Sequence, residues 1–551
     1  MSNLVRRRLR APTEDGAALV DPPLGQIADV LERNRALIRG YHYDCQGLAL
    51  DQLIAEGRTA LLAQALEFTG QYRDFSFAPI VTPGTPYLLC GHQPELFHPG
   101  VWFKNFLLST LGKSLGAVPI NLIVDTDVVH GTSIRVPAKV EGVAGVEQIP
   151  FDAPGERVPW EERPIIDSRL FESFERRLAT TYQTCCVDGN EPFRPLAEGL
   201  WKAAVAAAAR KQENANLGCV LAEGRYVLES LLGLKTLEVP LSAVAQTPQF
   251  RWFAAHLLVQ LPRLWEIYNA TLNEYRHINR IRSGTHPVPG LQWDDEWWES
   301  PFLMWTRENP RRRRPFVRRL QDSLVISDRD GVRLTLDISA DESADKAVEQ
   351  LAEAERRGIK MRPRALITTM YARLVLSDLF IHGIGGAKYD ELTDAIIRRF
   401  FAIEPPTYLT ATATFRLPIE RRDVTADDLR SAAQRFRDAR YRPESFLGDP
   451  LLGEDEVLHR RLQDLAAEKR DYLVKHDLRR CSQEVFEGLD RINRAMQELL
   501  RPFEENLRAE HTKLFEQWKQ SQLLGSREFS FCLFPSEILP ARLLDLCKVM
   551  S

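Results

Sequence analysis

The residues best suited to chemistry fall in three short stretches. The first is Gly91-His92-Gln93-Pro94-Glu95-Leu96-Phe97-His98-Pro99-Gly100. A loop of this kind, placed after a buried strand, presents backbone N–H groups at a helix N-terminus, where an anion is favoured. His92 and His98 can donate hydrogen bonds or move protons near neutral pH. Gln93 offers both a donor and an acceptor. Lys104, inside the next helix, is long enough to reach a phosphate or carboxylate. Position and composition agree, so the loop as a unit reads as functional rather than as an ordinary polar turn.

The second stretch is Asp125-Thr126-Asp127, with His130 just beyond. Two carboxylates at a strand end can bind a metal, a ribose or an amine. Aspartate is common in turns, so the spacing is weak by itself; its place beside the first loop strengthens it. Asp125, Asp127 and His130 make only part of a metal site, with no fourth ligand in view, and no metal is assigned. The third stretch runs from Phe380 through His382-Gly383-Ile384-Gly385-Gly386-Ala387-Lys388-Tyr389-Asp390. Its glycines let the backbone approach a ligand or adopt positive φ. It has neither the GxGxxG nor the Walker spacing. The plain alternative is a helix cap with a tight turn.

Other features read more simply. Arg311-Arg312-Arg313-Arg314 is expected to be a solvated face. The cluster from Trp293 to Trp298 packs an insertion. Cys90 ends a buried strand and is inert. No GxSxG, HExxH or kinase signature occurs.

The elements that must position these residues follow from the apolar pattern. Residues 23–70 read as helical, and 87–90 as a buried strand ending at Gly91. A helix over 102–115, carrying Trp102, Phe103, Phe106, Leu107 and Leu111, leads to a second buried strand over 117–124. Residues 87–127 thus spell one βαβ unit, with its loops at the carboxyl edge of a parallel sheet. Residues 132–165 read as extended, 196–211 and 250–281 as helical, and 237–242 as an exposed strand or loop. An irregular insertion is expected over 284–315, and a hairpin over 323–338 turning at Asp328-Arg329-Asp330-Gly331. A short strand at 365–368, an apolar run at 374–381, a helix at 389–401 and a strand at 407–417 resume the α/β pattern. Val485, Leu489, Ile492, Met496, Leu499 and Phe503 alternate by four and three, as along a coiled-coil seam. An earlier helix over 456–478 makes an antiparallel hairpin or a dimer contact, and Pro502 is expected to kink the seam.

The fold expected is therefore α/β: a Rossmann-like parallel-sheet core with inserted segments and a C-terminal helical coiled-coil arm. The divisions are 1–80 (N-terminal helical segment), 81–190 and 361–425 (core), 191–360 (insertion), 426–525 (arm) and 526–551 (C-terminal segment). At 551 residues the chain exceeds one compact core. A hydrophobic fraction of 44% and a charged fraction of 27% suit a folded, soluble protein. The net charge of -4 argues against a general nucleic-acid binder. No apolar run reaches spanning length and no signal-like leader is seen, so no membrane partner is expected. The eight cysteines, with no CxxC pair, read as reduced and cytoplasmic.

Taken together, the three loops resemble those of the cysteine-adding enzyme family of bacillithiol biosynthesis. That family has a GQQxGL-type loop, an EDHD-type strand end, an Arg-Pro segment, an IGGPxE-type turn and a long coiled coil. Gly91-His92-Gln93-Pro94, Asp125-Thr126-Asp127, Arg362-Pro363-Arg364, Ile384-Gly385-Gly386-Ala387-Lys388-Tyr389 and the helices over 456–520 follow in that order. His92 stands where the family has Gln, the Glu and His of EDHD are missing, and Ala387 and Tyr389 replace Pro and Glu. The resemblance implies a ligase forming a C–N bond between cysteine, or a related amino acid, and a small sugar–acid conjugate. ATP or ADP is the cosubstrate it allows. In that reading Gly91, Gln93, Pro94, Lys104, Gly385, Gly386, Lys388, Tyr389 and Asp390 bind substrate, Asp125 and Asp127 hold an ammonium or hydroxyl, and His92 or His382 carries the proton. The arm would pair two copies. The rival readings are a nucleotide- or sugar-binding protein without turnover, and a sugar or acyl transferase.

Overall fold

The computed structural model describes residues 9–73, 81–140, 143–183, 195–212, 215–419, 421, 424–449, 455–475 and 483–548. Arg6-Arg7-Arg8, Cys185, Cys186 and Cys481 lie outside the described residues.

A six-stranded sheet organises the α/β part. Its strands are β1 (Ala18–Asp21), β2 (Tyr87–His92), β3 (Val118–Ile123), β4 (Leu237–Pro240), β5 (Leu379–His382) and β6 (Leu409–Ala413), in the order β1-β6-β5-β2-β3-β4. β6, β5, β2, β3 and β4 are parallel; β1 is antiparallel to β6. Burial on both faces explains why the parallel strands read as continuous apolar runs. Leu88 and Cys90 of β2 enter the core on one face, and Tyr87 and Leu89 the core on the other.

Two helices follow the carboxyl ends of β2 and β5. α1 (Pro99–Ser114) follows β2, with Pro99 in its first turn, and packs Trp102, Phe103, Phe106 and Leu107 into the first core. On the other face lies α2 (Ile384–Phe400), which follows β5 and contributes Leu392, Ile396, Ile397 and Phe400. The chain leaves β2 toward β3 and leaves β5 toward β6, on opposite sides and opposite faces. In open α/β sheets, the carboxyl edge where strand order reverses in this way is the usual place for a ligand crevice. Gly100 permits a close approach there, since a Cβ on it would lie 2.3 Å from the Ala413 carbonyl oxygen of β6.

Several expectations change. Residues 237–242 are not exposed: Leu237–Pro240 is the buried strand β4, paired to β3. Its Glu238 interrupts the apolar run, but is buried against Arg225 and Asn121. Residues 365–368 form helix, not strand, within Ala365–Tyr371. That helix is buried on almost every side, so its short apolar run shows no helical period. The irregular insertion is largely β-structure. Trp293–Asp294, Trp297–Glu299 and Phe316–Arg319 join the expected hairpin, Leu324–Ser327 with Arg333–Leu336, in an antiparallel five-stranded sheet. Phe302–Thr306 pairs instead with Ile359–Pro363.

Toward the C-terminus, α3 (Ala426–Tyr441), α4 (Glu456–Lys475) and α5 (Gln483–Leu524) share a separate apolar core. Ile492, Met496, Leu500, Phe503 and Leu507 of α5 meet Leu462 and Ala466 of α4 and Ala439 of α3. The seam is thus filled within the chain, by three helices rather than the two read from sequence. α5 is a single helix through Pro502.

Candidate functional site

The candidate site begins where β5 hands over to α2. Gly383 caps α2 without a side-chain hydrogen bond, so the first-turn N–H groups of Ile384, Gly385 and Gly386 have no intrahelical acceptor. A Cβ on Gly383 or Gly385 would meet no heavy atom within 4 Å, whereas one on Gly386 would sit 2.6 Å from His382 Nδ1. Gly386 is therefore what allows the His382 ring to lie against the helix.

Behind this turn, His382 Nε2 lies 2.6 Å from Asp390 Oδ2. The same carboxylate accepts from Arg373 Nη1 at 2.9 Å and Thr369 Oγ1 at 2.7 Å. Burial works against a charged Asp390, yet His382 and Arg373 hold its carboxyl well below the usual range. Asp390, read from sequence as substrate-binding, is wholly enclosed and braces the turn from inside. His382 is likewise buried and engaged. Lys388 is exposed and Tyr389 half-buried.

Beside it, β2 ends in the first loop. Lys104 is buried and donates from Nζ to the Gly91 carbonyl at 2.7 Å, so it fastens the loop from beneath. His92 packs edge-on against Phe97, with Nδ1 3.2 Å from the Gln93 carbonyl oxygen. Burial, and then the nearby Lys104 charge, push the His92 imidazole down to about 3. It is neutral at physiological pH and a weak base. His98 is the N-cap of α1, its Nδ1 accepting from Gly100 N. Pro94 is buried.

The two aspartates after β3 differ sharply. Asp127 Oδ2 accepts from Gln93 Nε2 at 2.8 Å, which ties the first loop to the second. Its Oδ1 accepts from Arg312 Nη1 at 2.9 Å and Val128 N at 2.8 Å. Burial alone would raise Asp127, but Gln93 and Arg312 hold it below its ordinary value. Asp125 is buried and accepts from Ser242 N at 2.9 Å and from the Ser242 hydroxyl. Burial, then the like charge of Glu161, push the Asp125 carboxyl up to about 7 against the opposing bonds from Ser242. Glu161 is itself clasped by Arg362 and Lys360. Among the described residues no group of three or more His, Cys, Asp or Glu side chains is arranged to hold a metal ion.

The structure brings Gly91–Pro94, Asp125, Asp127 and the glycines at 383–386 to adjacent strand ends of one sheet edge. It also adds residues that sequence reading missed. Ser242 follows β4, the strand read as exposed. Arg312 belongs to the run read as a solvated face. Phe531, from the C-terminal segment, donates its N–H to the Phe97 carbonyl at 2.8 Å and stacks near that ring. Only the arginine run carried a visible signal. Neither a protein-family model nor a curated protein matches the chain. No helix among the described residues is long and apolar enough to cross a membrane.

Proposed function

We propose that the chain is a C–N bond-forming enzyme, joining cysteine or a related amino acid to a small sugar–acid conjugate at the carboxyl edge of a Rossmann-like core. The observation that carries this reading is the direct bond between Gln93 and Asp127, which makes two of the three loops one wall. The uncapped start of α2 stands across the strand-order reversal from that wall. An oxyanion would lie on the Ile384, Gly385 and Gly386 N–H groups, and an ammonium or hydroxyl against Asp127.

The proton carrier in this reading is Asp125 rather than His92. A carboxyl near 7 is matched to taking a proton from an amine at neutral pH, and Ser242 is the hydroxyl through which that proton would pass. A neutral His92 is left to donate or accept a hydrogen bond. The arm would join two copies, and exposed Val457, Val474 and Phe486 support that role. A cytoplasmic setting and ATP or ADP as cosubstrate belong to the same proposal.

The test is product formation. The full chain is incubated with cysteine and a glucosamine–malate conjugate, with and without ATP, and the condensed product is sought by mass spectrometry. Product that disappears in Asp125→Asn supports the reading. Absence of product, or full activity in Asp125→Asn, overturns it. A binding protein without turnover would show ligand stabilisation with no product under any condition.

A further inference from the structure

Beyond Asp127 the surface opens into a cleft of about 580 Å³, lined by His130, Glu156, Arg157, Arg311, Arg312 and Arg313. Four guanidinium groups and an imidazole face one lining carboxylate. Three of the four guanidinium groups have one carboxylate partner each. Arg311 forks onto Glu156 with bonds of 3.1 and 3.2 Å, and both side chains are more than half exposed. Solvent screens a pair this exposed, so a more highly charged anion can compete with Glu156 for the fork. Arg313 pairs with Asp330, and its Nε is buried without a hydrogen-bond partner. Arg157 has no carboxylate partner among the described residues; its recorded polar neighbour is His130 Nδ1 at 3.4 Å. Arg312 is bound to Asp127, on the wall of the crevice.

This is the composition of an oxyanion site. Guanidinium groups present fixed forks that match the oxygens of a phosphate or carboxylate two at a time. The volume falls in the range of small-ligand pockets. The open face also separates this cleft from the buried arginines Arg163, Arg225, Arg362 and Arg373, each already paired with a buried or half-buried carboxylate.

We propose that the cleft binds a dianion: a phosphate group, or two carboxylates of one small molecule. The dianion competes with Asp127 for Arg312. When it binds, Arg312 turns to the ligand and Asp127 keeps its bonds from Gln93 on Oδ2 and Val128 on Oδ1, with the Oδ1 acceptor position left by Arg312 now open. Occupancy of the cleft therefore prepares Asp127 for a cationic or hydroxyl group. The inference rests on the cleft's own geometry and stands whether or not the ligation reading holds.

Isothermal titration of the full chain with inorganic phosphate, pyrophosphate and citrate tests it, each at constant ionic strength against a chloride control. At least one of these three anions is expected to bind one-to-one with submillimolar affinity. Arg157→Ala and Arg311→Ala should each weaken it about tenfold. Arg318→Ala, which removes an equal charge from an arginine paired with Glu296 outside the cleft, should leave it unchanged. Asp127→Asn removes the competitor and should tighten binding. Preference for phosphate or pyrophosphate over citrate identifies the phosphate source, and the reverse identifies the dicarboxylate. No binding above the chloride control overturns the site, as does an equal loss in Arg318→Ala, which would mark general charge attraction. Unchanged affinity in Asp127→Asn overturns the competition. The fate of the ligation reading is read separately, from product formation in Asp125→Asn.

Discussion

Two arginine–aspartate pairs stand at this sheet edge at the same separation, 2.9 Å, and do different work. Arg373 and Asp390 are fully enclosed, and Asp390 also engages His382 and Thr369. Arg312 and Asp127 keep 26% and 29% of their side-chain surface in solvent. A buried pair cannot be parted without stranding a charge, so it acts as scaffold. A pair with about a quarter of its surface in solvent can trade its partner for a ligand or water at smaller cost. For these two pairs burial, not contact distance, decides which aspartate can exchange its partner.

The largest expected effect contrasts the two aspartates. Asp390→Ala leaves Arg373 and His382 without their central acceptor and should cost about 3–5 kcal/mol in urea unfolding. Asp127→Ala should cost no more than about 1 kcal/mol. Similar losses would break the comparison.

A second contrast lies within one turn. Gly386→Ala drives a methyl group against the His382 ring and should destabilise by about 1–3 kcal/mol. Gly385→Ala meets open space and should stay within about 0.5 kcal/mol of the parent. Thermal unfolding of the two variants reads this difference, and equal shifts would mean that His382 does not brace α2.

A smaller effect sharpens the contrast between Asp125 and Asp127. Asp125, pushed up to about 7, keeps its proton where an unfolded chain has released it. Its contribution is complete below about pH 4 and fades as pH rises through about 7. Asp127 is depressed, so its contribution is present at neutral pH and fades on acidification through its lowered value. Asp125→Asn should therefore gain about 1.4 kcal/mol relative to the parent for each pH unit between about pH 5 and pH 7. Asp127→Asn should show the opposite trend, losing its relative deficit toward acid pH. Parallel pH profiles would refute the assignment.

Much of this edge was legible in the sequence, for a local reason. β2, α1 and β3 follow one another directly, their strands are continuous apolar runs, and Gly91 and Asp125 mark the strand ends. What was missed is non-local. β4 was read as exposed because Glu238 breaks its pattern, and only the fold brings Arg225 and Asn121 to that carboxylate. The arginine run looked solvated because Asp127 is 185 residues away in sequence. Ser242 carried no motif at all; it matters because β4 sets it beside Asp125. Asp390 erred the other way, since a polar residue near a glycine turn reads as exposed until its neighbours are known.

Hydrogen exchange tests the central claim, a single site at the carboxyl edge, most directly. The full chain is followed by mass spectrometry with and without cysteine and the glucosamine–malate conjugate. The account predicts added protection in peptides covering 91–97, 125–130 and 383–387, with the arm helices α4 and α5 unchanged. Protection confined to the arm, or absent from all three loops at saturating ligand, would contradict it.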